Sequence, residues 1–96
     1  MPAYVLYLGD VTDPERYEEY KVHAAASIAA AGGRYIVRGG EVEVLEGELP
    51  AGRTVVLEFP TRAAALAWYR SDDYEAARRL RLGAATATMY VVDGIG

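Results

Sequence analysis

The sequence predicts a single α+β domain, residues 1–96, in which an antiparallel sheet carries helices on one face. Segments with strand and helix patterns follow one another in the order β-α-β-(β)-β-α-β. The length of 96 residues is that of one domain, and no shift in composition divides the chain. Apolar residues make up 52% and charged residues 25%, a balance that is typical of globular proteins.

The first predicted strand, from Ala3 to Gly9, is apolar on both faces. One face carries Tyr4, Leu6 and Leu8, and the other carries Ala3, Val5 and Tyr7. An antiparallel sheet usually packs only one face against its own helices. The second apolar face therefore indicates either a partner sheet or a covered cavity.

A helix is predicted to begin directly after Asp13. Asp13 can cap the helix, Pro14 suits its first position, and Glu15 complements the positive end of the helix dipole. Gly32-Gly33 is expected to end it, because glycine readily adopts the left-handed conformation found there. The apolar stripe, spaced at three to four residues, comprises Tyr17, Tyr20, Ala24, Ile28 and Ala31.

A hairpin is predicted to follow this helix. Residues 34–38 have a strand pattern, Gly39-Gly40 can form the turn, and residues 41–46 alternate as a second strand with an acidic outer face. Residues 47–52 contain proline and two glycines, which predicts a loop. Residues 54–59 are rich in β-branched and aromatic side chains and predict another strand.

The remainder of the chain predicts two more helices and a last strand. Thr61 can cap the second helix, Ser71 begins a third, and Gly83 ends it before a strand over residues 86–92. Tyr74, Ala77 and Arg81 share one face of the third helix. The complete order is the split βαβ arrangement of ferredoxin-like domains. Because its second sheet face is apolar and uncovered, we expect an isologous homodimer formed through the sheet.

Composition argues against several classes of function. The chain has no cysteine, which excludes thiolate nucleophiles and disulfides. Its net charge is −4 and its ten basic residues are dispersed, so we expect no nucleic-acid partner. No apolar run approaches the ~20 residues that span a bilayer. The N-terminus lacks the pattern of a signal peptide, and a cytoplasmic location is therefore expected.

Short stretches along almost the whole chain, from Tyr4 to Gly94, resemble one family. They are Asp10-Val11-Thr12-Asp13-Pro14, Tyr17, Tyr20, Gly32-Gly33-Arg34-Tyr35, Arg38-Gly39-Gly40, Leu45-Glu46-Gly47, Glu58-Phe59-Pro60, Trp68-Tyr69-Arg70-Ser71, Tyr74 and Leu80-Arg81. The family is labelled domain of unknown function 1330. The resemblance implies a dimeric α+β barrel, in which two ferredoxin-like protomers pack sheet to sheet. The superfamily includes cofactor-free monooxygenases, lactone isomerases and haem-degrading enzymes, but the family itself has no agreed reaction.

The sequence departs from the family pattern at three positions. Proline is frequent where this chain has Ser27 and Asp72, and an aromatic residue is usual where it has Ala31. The small side chain of Ala31 would leave more room near the end of the first helix. Any pocket there is therefore expected to differ in size from those of relatives.

Five residues are candidates for binding a small molecule, namely Tyr20, His23, Arg38, Glu58 and Trp68. His23 could be a general base, a haem ligand or merely a partly exposed helix residue. Arg38 and Glu58 could face a pocket as an anion clamp and a proton acceptor, or they could pair with each other. Tyr20 and Trp68 belong to an aromatic set that could bind a flat organic ligand or simply form the core.

The sequence predicts no metal or organic cofactor. A lone histidine cannot complete a typical multi-ligand metal site, and the glycine pairs lack a nucleotide-binding pattern. Arg81 is expected to anchor the rim of the dimer interface. The leading hypothesis is a homodimer that binds a compact anionic or aromatic metabolite between sheet and helices, with or without turnover. The alternative is a non-catalytic homodimeric module.

Overall fold

The computed structural model describes the whole chain, Met1–Gly96, as four strands and three helices. These are β1 (Ala3–Val11), α1 (Pro14–Ala30), β2 (Arg34–Arg38), β3 (Arg53–Phe59), α2 (Arg62–Tyr69), α3 (Asp72–Arg81) and β4 (Ala85–Asp93). The strands form one antiparallel sheet in the order β2-β3-β1-β4. This order is the ferredoxin-like topology, and the predicted α+β fold class is confirmed. No helix combines the length and the apolar character needed to cross a bilayer.

Each helix begins at the capping residue that the sequence indicates. The side-chain oxygens of Asp13, Thr61 and Ser71 accept bonds from backbone N–H groups three residues further on, at 3.3, 3.1 and 3.1 Å. Each bond satisfies a donor that the first helical turn leaves unpaired. The chain leaves α1 through Gly32, whose φ of +81° is a conformation that a side chain would strain.

The core lies between the three helices and one face of the sheet. The buried stripe of α1 contains Tyr17, Tyr20, Ala24, Ser27 and Ile28, and that of α3 contains Tyr74, Ala77 and Arg81. Alternate residues of β1 and β3 are buried against these helices. The predicted stripes are therefore confirmed except at Ala31, which follows α1 and is only half-buried, and they place Tyr17, Tyr20 and Tyr74 inside the protein.

The outer face of the sheet carries an apolar row that crosses all four strands. Val37 is paired with Val56, Val56 with Leu6, and Leu6 with Tyr90, so these four side chains lie side by side. We call these four residues the outer row. Val37 is 39% exposed and Tyr90 is 48% exposed. The second apolar face that the sequence indicates is therefore present and open to solvent.

The predicted strand over residues 41–46 is wrong. β2 pairs with β3 instead, and the connecting residues 40–51, which we call the arm, form neither helix nor strand. β3 pairs with β2 because this pairing brings Val55, Leu57 and Phe59 into the core, whereas residues 41–46 alternate valine with glutamate. Burial of apolar surface contributes more free energy than local strand propensity.

Candidate functional site

A small cavity lies between the sheet and the helices, with a volume of about 30 Å³. Four tyrosines line it, namely Tyr7 of β1, Tyr17 and Tyr20 of α1, and Tyr35 of β2. By the same measure a single water molecule needs about 10–15 Å³. The cavity therefore holds about two groups of that size, which excludes an aromatic ring.

Hydroxyl groups pair with one another around this cavity. The Tyr17 hydroxyl donates to the Tyr7 hydroxyl at 3.2 Å, and the hydroxyls of Tyr20 and Tyr74 are 3.0 Å apart. Each pair has two protons and uses one of them in the shared hydrogen bond. Each pair therefore retains one proton that the shared hydrogen bond does not use.

The position of the Tyr7 ring depends on Gly9, two residues further along β1. A Cβ atom at Gly9 would lie 2.7 Å from Cε1 and 2.8 Å from the hydroxyl oxygen of Tyr7. The ring therefore folds back over a backbone position that has no side chain. Glycine is needed here for this close approach and not for an unusual backbone angle.

Three arginines from separate elements lie over the tyrosines that line the cavity. From guanidinium carbon to ring centroid, Arg38 is 4.3 Å from Tyr35, Arg53 is 5.7 Å from Tyr17, and Arg81 is 5.8 Å from both Tyr7 and Tyr20. These distances allow cation–π attraction. None of the three arginines forms a salt bridge with a carboxylate. We call these arginines and tyrosines, with Tyr74, the arginine–tyrosine cluster.

Two of the arginines keep an unpaired N–H group inside the protein. Arg81 is 8% exposed, and its buried Nε has no hydrogen-bond partner. The Nε of Arg53 is likewise buried and unpaired. A buried donor without a partner costs about 1–3 kcal/mol. Binding of a carboxylate or phosphate oxygen at these groups would supply charge-assisted hydrogen bonds.

Burial keeps Tyr7, Tyr20 and Tyr74 of the cluster in their neutral form. It raises the pKa of Tyr7, Tyr20 and Tyr74 above the ordinary value of 10.0. For Tyr7, the hydrogen bond with Tyr17 raises the pKa further, and for Tyr20 the proximity of Tyr74 does so. At neutral pH these hydroxyls are hydrogen-bond donors and not tyrosinate bases, so the charge of the cluster is that of its guanidinium groups.

Folding stability is expected to fall steeply with rising pH above about 10. The unfolded chain loses its tyrosine protons near the ordinary pKa of 10.0, while the folded chain retains those of Tyr7, Tyr20 and Tyr74. The stabilisation is fully present below that pH. Above it, each proton that only the folded chain retains lowers the free energy of unfolding by up to ~1.4 kcal/mol per pH unit. Urea unfolding from roughly pH 9 to 11 measures the slope, which should be shallower in Tyr20→Phe. A flat profile in the wild-type protein would contradict this assignment.

The chain matches the family described as Domain of unknown function (DUF1330) over residues 2–95. It belongs to that family. The resemblance seen in the sequence is thus confirmed for this DUF1330 domain, and no curated protein matches it with significant similarity.

Solved structures resemble the DUF1330 domain along nearly its whole length. The RPA0582 protein of unknown function from Rhodopseudomonas palustris is 20% identical, with a TM-score of 0.74 over 99% of this chain and 83% of the other. SnoaB, a cofactor-independent oxygenase from Streptomyces nogalater, is 12% identical, with a TM-score of 0.66 over 99% and 94%. A dimeric ferredoxin-like protein of unknown function from Thermobifida fusca is 17% identical, with a TM-score of 0.64 over 96% and 92%. At these identities the likenesses establish the fold alone.

Three of the five candidate residues converge on the cavity of the DUF1330 domain. Tyr20 and Trp68 line it, and the exposed Arg38 lies over Tyr35 at its edge. The indole N–H of Trp68 donates to Ser27 Oγ at 3.0 Å. Tyr20 and Trp68 therefore belong to the core and to the cavity wall at once, so the two interpretations of the aromatic residues do not exclude each other.

The other two candidates lie outside the cavity. His23 is exposed on α1. Glu58 lies on the outer face of the sheet, where its carboxylate accepts bonds from Arg34 Nε at 2.7 Å and from the Tyr4 hydroxyl at 3.2 Å. The hydrogen bond from Arg34 holds the pKa of Glu58 below its ordinary 4.5. The suggested pair between Arg38 and Glu58 is therefore wrong.

Two arginines of the cluster, Arg81 and Arg53, lie where the sequence did not predict them. Arg81 was expected at the rim of the sheet interface, but it is buried against Tyr7 and Tyr20 on the helix side, so that expectation is wrong. Arg53 was not a candidate, although a signal for it exists. It precedes the buried residues Val55 and Leu57 at a spacing of two, which places all three side chains on the core face of β3.

Two other depressions in the surface have no basic lining residue. A groove of about 280 Å³ lies near Ala31, where room was expected, and its single charged lining residue is the acidic Asp73. A cleft of about 170 Å³ between α2 and β4 is lined only by apolar side chains. No three histidine or carboxylate side chains come together as a metal-ligand set.

Proposed function

We propose that this domain binds a small anionic metabolite in the arginine–tyrosine cluster. The observation that carries the proposal is the pair of buried, unpaired Nε groups of Arg53 and Arg81, whose guanidinium groups lie over tyrosines that line the cavity. Folded proteins rarely leave such groups without a partner. A bound anion would supply acceptors for these donors and balance the positive charge of the guanidinium groups.

The ligand has a carboxylate or phosphate group and only a small apolar part. The guanidinium groups of Arg38, Arg53 and Arg81 would hold the anion, since planar guanidinium groups match these oxyanions in geometry. The cavity of about 30 Å³ takes a group such as a methyl and no ring. Of the two ligand classes that the sequence suggests, the geometry thus favours an anionic metabolite over an aromatic one.

Any turnover would depend on stabilising negative charge and not on a protein base. Tyr7, Tyr20 and Tyr74 of the cluster are neutral donors, and His23 and Glu58 lie outside the cavity. Cationic and hydroxyl donors fixed in a buried site stabilise an anion that develops on a substrate. The name of the structural neighbour SnoaB describes a cofactor-independent oxygenase, and an anion-stabilising cavity is compatible with chemistry of that class.

The same proposal includes a homodimer formed through the outer face of the sheet. The outer row, together with Leu8 and Val92, makes this face apolar across its width. A soluble monomer rarely exposes a continuous apolar surface of this kind. A second copy would cover it in an isologous interface, which would give the dimeric α+β barrel that the family resemblance implies.

A second candidate function is the non-catalytic homodimeric module. The observation that favours it is the small cavity volume, which leaves the aromatic residues acting mainly as core. The two functions share the fold and the sheet interface. They differ in whether the guanidinium groups bind an anion in solution.

Binding of acetate and of inorganic phosphate, measured by calorimetric titration, tests the proposal. Arg53→Met and Arg81→Met are each expected to weaken binding at least roughly tenfold, because a hydrogen bond to a charged group contributes about 1.5–3 kcal/mol. Arg70→Met is the matched control, since Arg70 is exposed and forms no salt bridge. Its binding should be unchanged.

Two results would count against anion binding. If neither probe binds the wild-type protein, the module is the better description. If binding is equally strong in Arg53→Met, Arg81→Met and Arg70→Met, the anions associate with surface charge and not with the cluster. Far-ultraviolet circular dichroism of each variant shows whether lost binding reflects lost structure.

A further inference from the structure

We infer that the arm, residues 40–51, adds as a strand to the edge of β4 in a second copy of the chain. This inference rests on the homodimer proposed above and goes beyond its sheet-to-sheet contact. It gives each protomer a segment that pairs with the other protomer.

The backbone of the arm has no partner within its own chain. None of its N–H or C=O groups forms a backbone hydrogen bond, and the last such bond before the arm runs from Gly39 N to Thr54 O. The pattern of residues 41–46 nevertheless has the β-branched alternation of a strand. A strand becomes stable only when it pairs with another strand.

The side chains of the arm are more apolar than those of an ordinary surface loop. Val42 is 42% exposed, Val44 48%, Leu49 43% and Leu45 91%. Four large apolar side chains within twelve residues form a concentration that marks a contact surface. Cover by another protein surface would remove them from water.

The arm leaves the body of the protein at the rim of the proposed sheet interface. Pro50 and Ala51 share a depression with Leu8, Thr86 and Thr88, which belong to β1 and β4. Leu8 lies on the same outer sheet face as Leu6, two residues away. The arm is thus continuous with the surface that the second copy is proposed to cover.

The negative charge of the arm favours β4 as the strand with which it pairs. The arm carries four glutamates and no basic residue, namely Glu41, Glu43, Glu46 and Glu48. Two arms paired with each other would bring like charges together, which destabilises strand pairs. β4, in contrast, is an edge strand that is uncharged from Ala85 to Val92.

The opposite edge of the sheet is a poorer acceptor for the arm. β2 has five residues and an irregularity between Tyr35 and Val37, whereas β4 has nine residues in unbroken register with β1. A long regular edge strand is a template for an added strand. Two arms paired with two β4 strands form two equivalent contacts in a symmetric dimer, so that both β4 edges are covered.

Hydrogen exchange followed by mass spectrometry, over a range of protein concentrations, tests the inference. Amides of residues 41–46 and of β4 are expected to become protected together as the dimer forms. Val44→Pro removes a backbone donor and the strand conformation, so it should abolish this protection and weaken dimerisation at least roughly tenfold. Glu48→Pro, within the arm but outside residues 41–46, is the matched control and should change neither.

The outcomes separate this inference from the proposed homodimer. A dimer in which residues 41–46 still exchange freely, with equal affinity in Val44→Pro, overturns the arm and leaves the sheet interface standing. A wild-type chain that stays monomeric at all concentrations overturns the homodimer and, with it, the arm. Joint protection that Val44→Pro removes and Glu48→Pro retains supports both.

Discussion

Replacing Leu6 by glutamate is expected to leave the protein folded and monomeric. Leu6 lies in the outer row between Val56 and Tyr90, at the middle of the apolar face. A carboxylate there would lose its hydration in the interface without gaining a partner, which costs several kcal/mol. Because the proposed interface is isologous, the change would occur twice. Dimer affinity should fall by at least ~100-fold, since about 1.4 kcal/mol corresponds to a factor of ten.

Light scattering after size-exclusion chromatography measures this effect directly. The chain mass is 10.4 kDa, so the expected result is a change from twice that mass to that mass. Val22→Glu is the matched control, because Val22 is 69% exposed on α1, on the helix side of the sheet. It adds the same charge and should remain dimeric. Equal dimerisation of the Leu6→Glu and Val22→Glu proteins would rule out the sheet interface.

Replacing Trp68 by alanine is expected to lower the free energy of unfolding more than Trp68→Phe or Val22→Ala does. Trp68 is 2% exposed, its ring centroid is 4.3 Å from that of Tyr74 and 5.4 Å from that of Phe59, and its N–H is bonded to Ser27. Truncation of a buried tryptophan costs about 3–5 kcal/mol, because apolar contacts are lost and a cavity remains. Here the new space would also join the existing cavity, which Trp68 lines.

Urea unfolding followed by far-ultraviolet circular dichroism is the appropriate measurement, because Trp68 is the single tryptophan and the variant loses its fluorescence. Trp68→Phe keeps a ring and should cost clearly less than Trp68→Ala. Val22→Ala, at an exposed position, should change stability by no more than about 0.5 kcal/mol. All variants are compared at one protein concentration, since dimerisation adds to apparent stability. A cost for Trp68→Ala as small as that of Val22→Ala would mean that the side chain is not a core residue.

The candidate site could be predicted in part because some of its residues follow local periodicity. Tyr20 recurs at helical spacing with other apolar residues, and burial of that stripe brings it to the cavity. Trp68 lies in α2, whose start is marked by the capping residue Thr61, and it is on the buried side of that helix. Arg81 was correctly placed on the face of α3 that includes Tyr74, yet the side of the sheet toward which this face points was misjudged. Periodicity assigns residues to a shared face but does not say what that face contacts.

The unpredicted features all depend on contacts between distant parts of the chain. Arg38, Arg53 and Arg81 come from three elements and reach the tyrosines of the cluster only when β3 pairs with β2 and α3 packs beside α1. The predicted strand over residues 41–46 does not form for the same reason. Its local pattern is suitable, but β3 buries more apolar surface when it pairs with β2. Local propensity is a weak guide whenever tertiary pairing offers a larger free-energy gain.

The amino-acid sequence by itself determined the starts of the helices, the stripes they bury and the two apolar faces of β1, because these follow from interactions within a few residues. Only the tertiary structure decided which strand joins β2, which arginines meet the tyrosines, and that Glu58 bonds to Arg34. Those outcomes are competitions between pairings of residues far apart in the chain. The outcome depends on how much apolar surface the whole fold buries and on whether its polar groups find hydrogen-bond partners. A short stretch of sequence does not carry that information.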